Sequence, residues 1–129
     1  MKVMVDTHVL YWWLRDSWKL GERARALIAD ARAELLVSVG SFWEMSVKAR
    51  IGKAPEPGSR LYDEARRSGF TVVPISLKHL ETLESIPFRA EHKDQFDHLI
   101  LAQTIAEDAM LITADRKLLA YGVRALRAR

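Results

Sequence analysis

The chain has 129 residues, 49% of them hydrophobic and 29% charged, and its net charge of +3 permits a polyanionic partner without requiring one. A chain of this size buries most of its apolar surface in one core, so we expect a single domain over residues 1–129. Cysteine is absent, which excludes disulfides and thiolate chemistry, and neither a cleavable leader nor a run of 18 apolar residues occurs, so we expect a cytoplasmic protein without membrane contact.

Strand and helix patterns alternate from the N-terminus. Residues 1–5 are rich in apolar side chains, as in a strand buried on both faces of a parallel sheet, and Asp6 ends that run. Thr7 and Ser41 are candidate N-caps for the helices that follow them. The pattern predicts helices over residues 8–15, 21–32, 42–51, 60–68, 79–85 and 96–109, and further strands over residues 35–39, 70–74, 110–113 and 123–126.

This alternation predicts an α/β sandwich with a mainly parallel sheet and right-handed crossovers. In such sheets ligands bind beyond the carboxyl ends of the strands. Asp6 and Asp115 lie just past predicted strands, while Glu44 and Asp97 lie near the start of helices that begin at the same edge. Four carboxylates are therefore expected to converge there.

Converging carboxylates point to a cation. Like charges a few Å apart repel, and one of them takes up a proton unless a cation neutralises the group. Oxygen ligands favour Mg²⁺ or Mn²⁺ over zinc or copper. Such an ion orients water, lowers its pKa and stabilises the charge that develops on a phosphodiester during in-line displacement. The number of ions is left open by the sequence.

Each acid also has a structural interpretation. Asp6 is suited to capping the following helix, Asp97 to pairing with a helix dipole, and Asp115 to a turn or cap. Glu44 lies four residues before Lys48, the spacing of a surface ion pair. Taken singly, none of the acids establishes a site, and the inference depends on their order and context together.

The segments that contain these acids are VDTHVLYWWL, SVGSFWEMSVKARIGK, HKDQFDHLILAQTIAED and LITADRKLLAYGV. In this order they resemble the PIN-domain ribonucleases, and among them the VapC-type toxins of prokaryotic toxin–antitoxin pairs. The resemblance covers essentially the whole chain. By this resemblance the family's acidic residues fall on Asp6, Glu44, Asp97 and Asp115, and its hydroxyl near the last acid falls on Thr113.

The resemblance implies a three-layer α/β/α sandwich with a mainly parallel central sheet, which usually dimerises. It also implies that the acids bind Mg²⁺ or Mn²⁺ for cleavage of RNA, with transfer or ribosomal RNA as the expected substrate class and an antitoxin protein as partner. Asp6 and Asp97 are then the leading metal ligands, and the other two acids complete the catalytic set. Thr7 and Thr113 are expected to hydrogen-bond a carboxylate or a phosphate.

One segment departs from the family pattern. Related toxins often read Asp-Pro-Phe-Asp-Arg where residues 94–98 read DQFDH, so the proline and the arginine are missing. Without that arginine, His98 or Lys93 is a candidate to supply the positive charge. Asp94 is a candidate fifth acid. The four histidines are scattered without the spacing of a zinc site.

Two alternatives remain open from the sequence. The first is a protein-binding module that keeps the PIN fold and has lost catalysis. The second is a signalling receiver, which also has an acidic pocket for Mg²⁺ at strand ends. A receiver needs a pair of acids after its first strand, and this chain has the single Asp6 there.

Overall fold

Seven helices and five strands alternate along the chain, and the computed structural model describes residues 1–129. None of the helices has the length and apolar character needed to cross a lipid bilayer. In chain order the elements are β1 (Lys2–Val5), α1 (Thr7–Leu14), α2 (Glu22–Ala29), β2 (Glu34–Ser38), α3 (Val39–Ala49), α4 (Gly58–Arg67), β3 (Thr71–Val73), α5 (Leu77–Ser85), α6 (Gln95–Ala106), β4 (Met110–Thr113), α7 (Arg116–Leu119) and β5 (Ala125–Arg127).

The five strands form one sheet in the order β3-β2-β1-β4-β5, and every neighbouring pair is parallel. From β1 the chain runs outward through β2 and β3 on one side, then returns to β4 and β5 on the other. The carboxyl ends of β1 and β4 therefore flank the point where the direction of winding reverses, which is where open α/β sheets bind ligands. Receiver domains use the order 2-1-3-4-5, so the receiver alternative does not fit this sheet.

Alternate residues of the inner strands face two separate cores. Val3 and Val5 of β1 and Ile112 of β4 pack with apolar residues of α1 to α4. Met4 and Leu111, their neighbours in sequence, pack on the opposite face with residues of α6 and α7. Both faces of the sheet are thus covered by helices, which explains the nearly continuous apolar runs of these strands. The predicted three-layer α/β/α sandwich is confirmed.

The N-caps of two helices differ from the prediction. Asp6, not Thr7, caps α1, and its Oδ1 accepts a hydrogen bond of 2.9 Å from the backbone N–H of Val9. Ser38, not Ser41, caps α3, so this helix begins directly at the end of β2. Glu44 consequently lies in the second turn of α3 rather than the first. The short α7 was not predicted, because four residues are too few to show a helical period.

Candidate functional site

A cleft of about 420 Å³ lies where β1 and β4 end. Asp6 follows β1 directly, and Asp115 follows β4 after one residue. The switch point, where the direction of winding reverses between β1 and β4, therefore brings their side chains to the same edge of the sheet. Helices α3 and α6 bring further acids to it. The lining residues are Asp6, Thr7, His8, Trp12, Glu44, Lys48, Asp94, Asp97, Ala114 and Asp115.

Asp6 is the most enclosed acid of the cleft, with 4% of its surface exposed. Its Oδ1 caps α1, and its Oδ2 accepts hydrogen bonds from Thr113 Oγ1 at 2.5 Å and from the backbone N–H of Ala114 at 3.1 Å. Burial raises the pKa of Asp6 above its ordinary value of 3.8, although these hydrogen bonds oppose the shift. Thr113 also accepts a bond of 2.9 Å from the N–H of Asp115, so its hydroxyl is held pointing at Asp6.

Glu44 is buried but its charge is paired. Lys48, one helical turn later, places Nζ 2.7 Å from Glu44 Oε2. Thr7 Oγ1 lies 3.0 Å from Glu44 Oε1 and 2.9 Å from Ser41 Oγ. The hydrogen bond that Lys48 donates to Glu44 raises the pKa of Lys48, so this lysine stays charged beside the cleft. Both oxygens of Glu44 therefore already have hydrogen-bonding partners within the protein.

Asp97, like Asp6, has a raised pKa in the cleft, and it has fewer hydrogen-bond donors around it. Its Oδ2 lies 3.2 Å from Nε2 of His92, and its side chain accepts no backbone N–H. Burial, together with the charges of Asp94 and Asp115, raises the pKa of Asp97 to about 7, against the opposing hydrogen bond from His92. The carboxylate is therefore held near its midpoint at neutral pH, a state that a bound cation would relieve.

The donor set of the cleft fits a hard divalent cation. Five carboxylates face it, whereas Lys48 is the one lysine among the lining residues and no arginine joins it. Carboxylate oxygens suit Mg²⁺ and Mn²⁺, and the raised pKa of Asp97 shows that the protein alone does not neutralise the group. Side chains of His92, Asp97 and Asp115 each offer a ligand atom within 4.8 Å of the others. The residues present therefore fit such an ion.

Comparison with known proteins places this fold and cleft in a family. The model of the PIN domain matches residues 3–123. The chain belongs to the PIN-domain family. A curated relative, Ribonuclease VapC16 of Mycobacterium tuberculosis, is 38% identical over 61 residues, which is 45% of this chain and 42% of that protein. The chain thus spans less than half the length of this relative.

Solved structures share the PIN fold over the full length of the chain. VapBC2 from Rickettsia felis, bound to a DNA fragment from its promoter, has a TM-score of 0.74 and 18% identity, with 100% of each chain covered. DNA-bound VapBC from Salmonella typhimurium has a TM-score of 0.70 and 17% identity, with 100% of this chain and 99% of that chain covered. The resemblance to PIN-domain and VapC-type proteins inferred from the sequence segments is confirmed.

The PIN fold brings most of the predicted site residues together. Thr113 lies behind the cleft and reaches it through its bond to Asp6. His98 does not line the cleft, and its ring packs against His92 at a centroid distance of 4.9 Å. Their functional roles stay predictions. The predicted residues that line the cleft are Asp6, Thr7, Glu44, Asp94, Asp97 and Asp115.

Several residues at the site of this PIN domain were not assigned to it by the sequence, among them Lys48 and His92. Lys48 was interpreted only as the surface partner of Glu44, yet it lines the acidic cleft. His92 was counted among scattered histidines, yet it is 2% exposed and faces Asp97. In the sequence, only its position five residues before Asp97 connects His92 with the site. It lies in a polar connection without periodicity. Such a segment gives no indication of which side chains point inward.

Proposed function

We propose that this PIN-domain protein is a metal-dependent endoribonuclease that acts as the toxin of a toxin–antitoxin pair. One observation carries the proposal: five carboxylates share a cleft at the switch point of the sheet, and the pKa of Asp97 there is raised to about 7. A perturbed acid in a cleft is a candidate for function on physical grounds. The curated relative named Ribonuclease VapC16 supports the same activity.

Asp6 and Asp97 are the proposed leading ligands of Mg²⁺ or Mn²⁺, and Glu44 and Asp115 complete the catalytic set. A bound divalent ion would lower the pKa of a water molecule and neutralise the charge that develops on the phosphodiester. Thr113 fixes the carboxylate of Asp6 by donating to its Oδ2. The carboxylates of the cleft hold the ion and are the groups available to take the proton of an attacking water.

A polyanionic substrate is supported by a second cleft beside the first. This cleft has a volume of about 290 Å³, shares Ala114 with the acidic one, and is lined by Arg116, Arg127 and Arg129. Arginines bind phosphates through charge and paired hydrogen bonds. RNA crossing both clefts would place backbone phosphates on the arginines and one phosphodiester at the carboxylates. We propose RNA, of the transfer or ribosomal class, as the substrate.

The proposed protein partners are an antitoxin and a second copy of the chain. Solved relatives are VapBC complexes, in which a VapC-like chain is found with a partner. Large apolar side chains on the surface of this chain support such partners, since exposed apolar groups mark interfaces. Among the most exposed are Trp18 at 78%, Phe88 at 77%, Leu77 at 72% and Trp43 at 59%.

Cleavage of a total-RNA preparation tests the proposal. The purified chain is incubated with Mg²⁺, with Mn²⁺ and with a chelator, beside Asp97→Asn and the matched control Asp63→Asn, which changes an exposed aspartate of α4 outside the cleft. We expect discrete fragments that require the metal, persist in the control and disappear in Asp97→Asn. If Asp97→Asn cleaves as well as the parent, the carboxylate site is wrong. If no protein cleaves while the parent binds metal, the inactive protein-binding module is favoured.

A further inference from the structure

His92 is a buried side chain aimed at the acidic cleft. Its ring is 2% exposed and lies in the connection before α6, with Nε2 3.2 Å from Asp97 Oδ2. A ligand atom of His92, one of Asp97 and one of Asp115 all lie within 4.8 Å of one another. The imidazole is thus the one nitrogen donor grouped with the carboxylates of the cleft.

The distance between the ligand atoms of His92 and Asp97 suits coordination of a single ion. Two ligands at right angles around an ion about 2.1 Å away are about 3 Å apart, and opposite ligands about 4.2 Å apart. The 3.2 Å between His92 Nε2 and Asp97 Oδ2 matches neighbouring positions on such an ion. We propose that His92 Nε2 is a ligand of the metal site formed with Asp97 and Asp115, and that this nitrogen makes the site select Mn²⁺ over Mg²⁺.

The chemistry of imidazole gives the selectivity. Mg²⁺ is a hard ion that takes oxygen ligands and waters. Mn²⁺ also takes oxygen ligands, but as a transition-metal ion it accepts an imidazole nitrogen more readily than Mg²⁺ does. A site made only of carboxylates distinguishes the two ions weakly, and one neutral nitrogen ligand shifts the preference toward Mn²⁺. The inference rests on the proposed metal site and adds to it one ligand and the identity of the preferred ion.

Nε2 of His92 is hydrogen-bonded to Asp97, and a bound ion would take the place of that bond. Nδ1 of His92 is buried without a partner, so the tautomer with the proton on Nδ1 gains no hydrogen bond there and directs the Nε2 lone pair at the cleft. Moving the proton from Nε2 to Nδ1 therefore breaks only the bond to Asp97, and coordination replaces that bond. The ring is held by packing instead, with His98 at a centroid distance of 4.9 Å and Tyr121 at 5.6 Å. His98 thus acts as part of the support of His92.

Metal binding without RNA tests the inference. Mn²⁺ affinity is measured from the electron paramagnetic resonance signal of the free ion, and Mg²⁺ affinity by calorimetry, for the parent, His92→Gln and His8→Gln. Glutamine keeps an amide that can donate to Asp97, and His8 is a matched control because it lines the same cleft outside the ligand group. We expect His92→Gln to weaken Mn²⁺ binding by about tenfold or more and Mg²⁺ binding by less than about threefold. His8→Gln should leave the ratio of Mn²⁺ affinity to Mg²⁺ affinity unchanged.

Electron spin-echo envelope modulation of bound Mn²⁺ shows directly whether a nitrogen atom of the protein coordinates the ion. We expect a coupling to a bound nitrogen in the parent and in His8→Gln, and its loss in His92→Gln. Equal weakening of both ions in His92→Gln, or no nitrogen coupling in a parent that binds Mn²⁺, overturns the inference and leaves the carboxylate site standing. A parent that binds neither ion overturns the proposed function as well.

Discussion

Replacing Asp97 by asparagine should stabilise the metal-free protein while it removes the proposed activity. The folded state holds the pKa of Asp97 at about 7, against an ordinary value of 3.8, chiefly through burial. Between these values the folded protein binds more protons than the unfolded chain. Its stability therefore falls as the pH rises through this window, and above pH 7 the full penalty of the ionised carboxylate is present. Asparagine has the same shape and carries no charge.

The size of the effect follows from the two pKa values. Each tenfold difference in proton affinity corresponds to 1.36 kcal/mol, so values of about 7 and 3.8 give a penalty of about 4 kcal/mol at pH 8. The same relation gives a penalty of about 1.7 kcal/mol at pH 5. The stability advantage of Asp97→Asn should thus grow by about 2–3 kcal/mol between pH 5 and pH 8.

Urea denaturation in the presence of a chelator, at several pH values, measures this difference. Subtracting the free energy of unfolding of the parent from that of the variant at each pH cancels the groups that titrate independently of residue 97. Asp63→Asn, in the exposed control position, should show a small difference from the parent at every pH. A difference for Asp97→Asn that does not change between pH 5 and pH 8 would refute the reasoning, because it would mean that folding does not perturb this carboxyl group.

Three further substitutions test a hydrogen bond of the site, the packing of α4 on α3, and the ion pair of Glu44. Thr113→Val removes the hydroxyl that donates to buried Asp6 and should lower the free energy of unfolding by about 1.5–3 kcal/mol in urea denaturation. Gly58→Ala places a methyl group against the backbone of α3 and should cost about 1–3 kcal/mol, seen as a lowered melting temperature. Lys48→Met leaves buried Glu44 without its cation and should destabilise the metal-free protein by about 1–3 kcal/mol, a loss that saturating Mn²⁺ should reduce in thermal melts.

The sequence was sufficient to predict the layers of the fold because the inner strands carry a strong signal. Residues 3–5 and 110–112 are apolar on both faces, and only a sheet covered on both sides by helices buries such strands. Helix starts were predicted less well. Ser38 serves both as the last residue of β2 and as the cap of α3, so no polar linker marks the change from strand to helix there.

The site was predictable only in part, for a reason of geometry. Asp6 and Asp115 follow strands whose ends share one sheet edge, so topology alone brings them together. His92 lies in the connection before α6, where no repeating pattern relates sequence position to direction. Its inward orientation depends on the path of that connection and on packing against Tyr121. Such long-range contacts are not visible in a single sequence.

Structural roles explain why each acid was ambiguous when considered alone. Four of the five acids in the cleft also stabilise the fold, by capping α1, α6 or α7 or by pairing with a lysine: Asp6, Asp94, Asp115 and Glu44. Asp97 does none of this, since its side chain accepts no backbone N–H and its pKa is raised to about 7. A half-buried acid that destabilises the fold and caps no helix is best explained by a function that needs its charge. The case for a metal site therefore depends most on the residue with the least structural role.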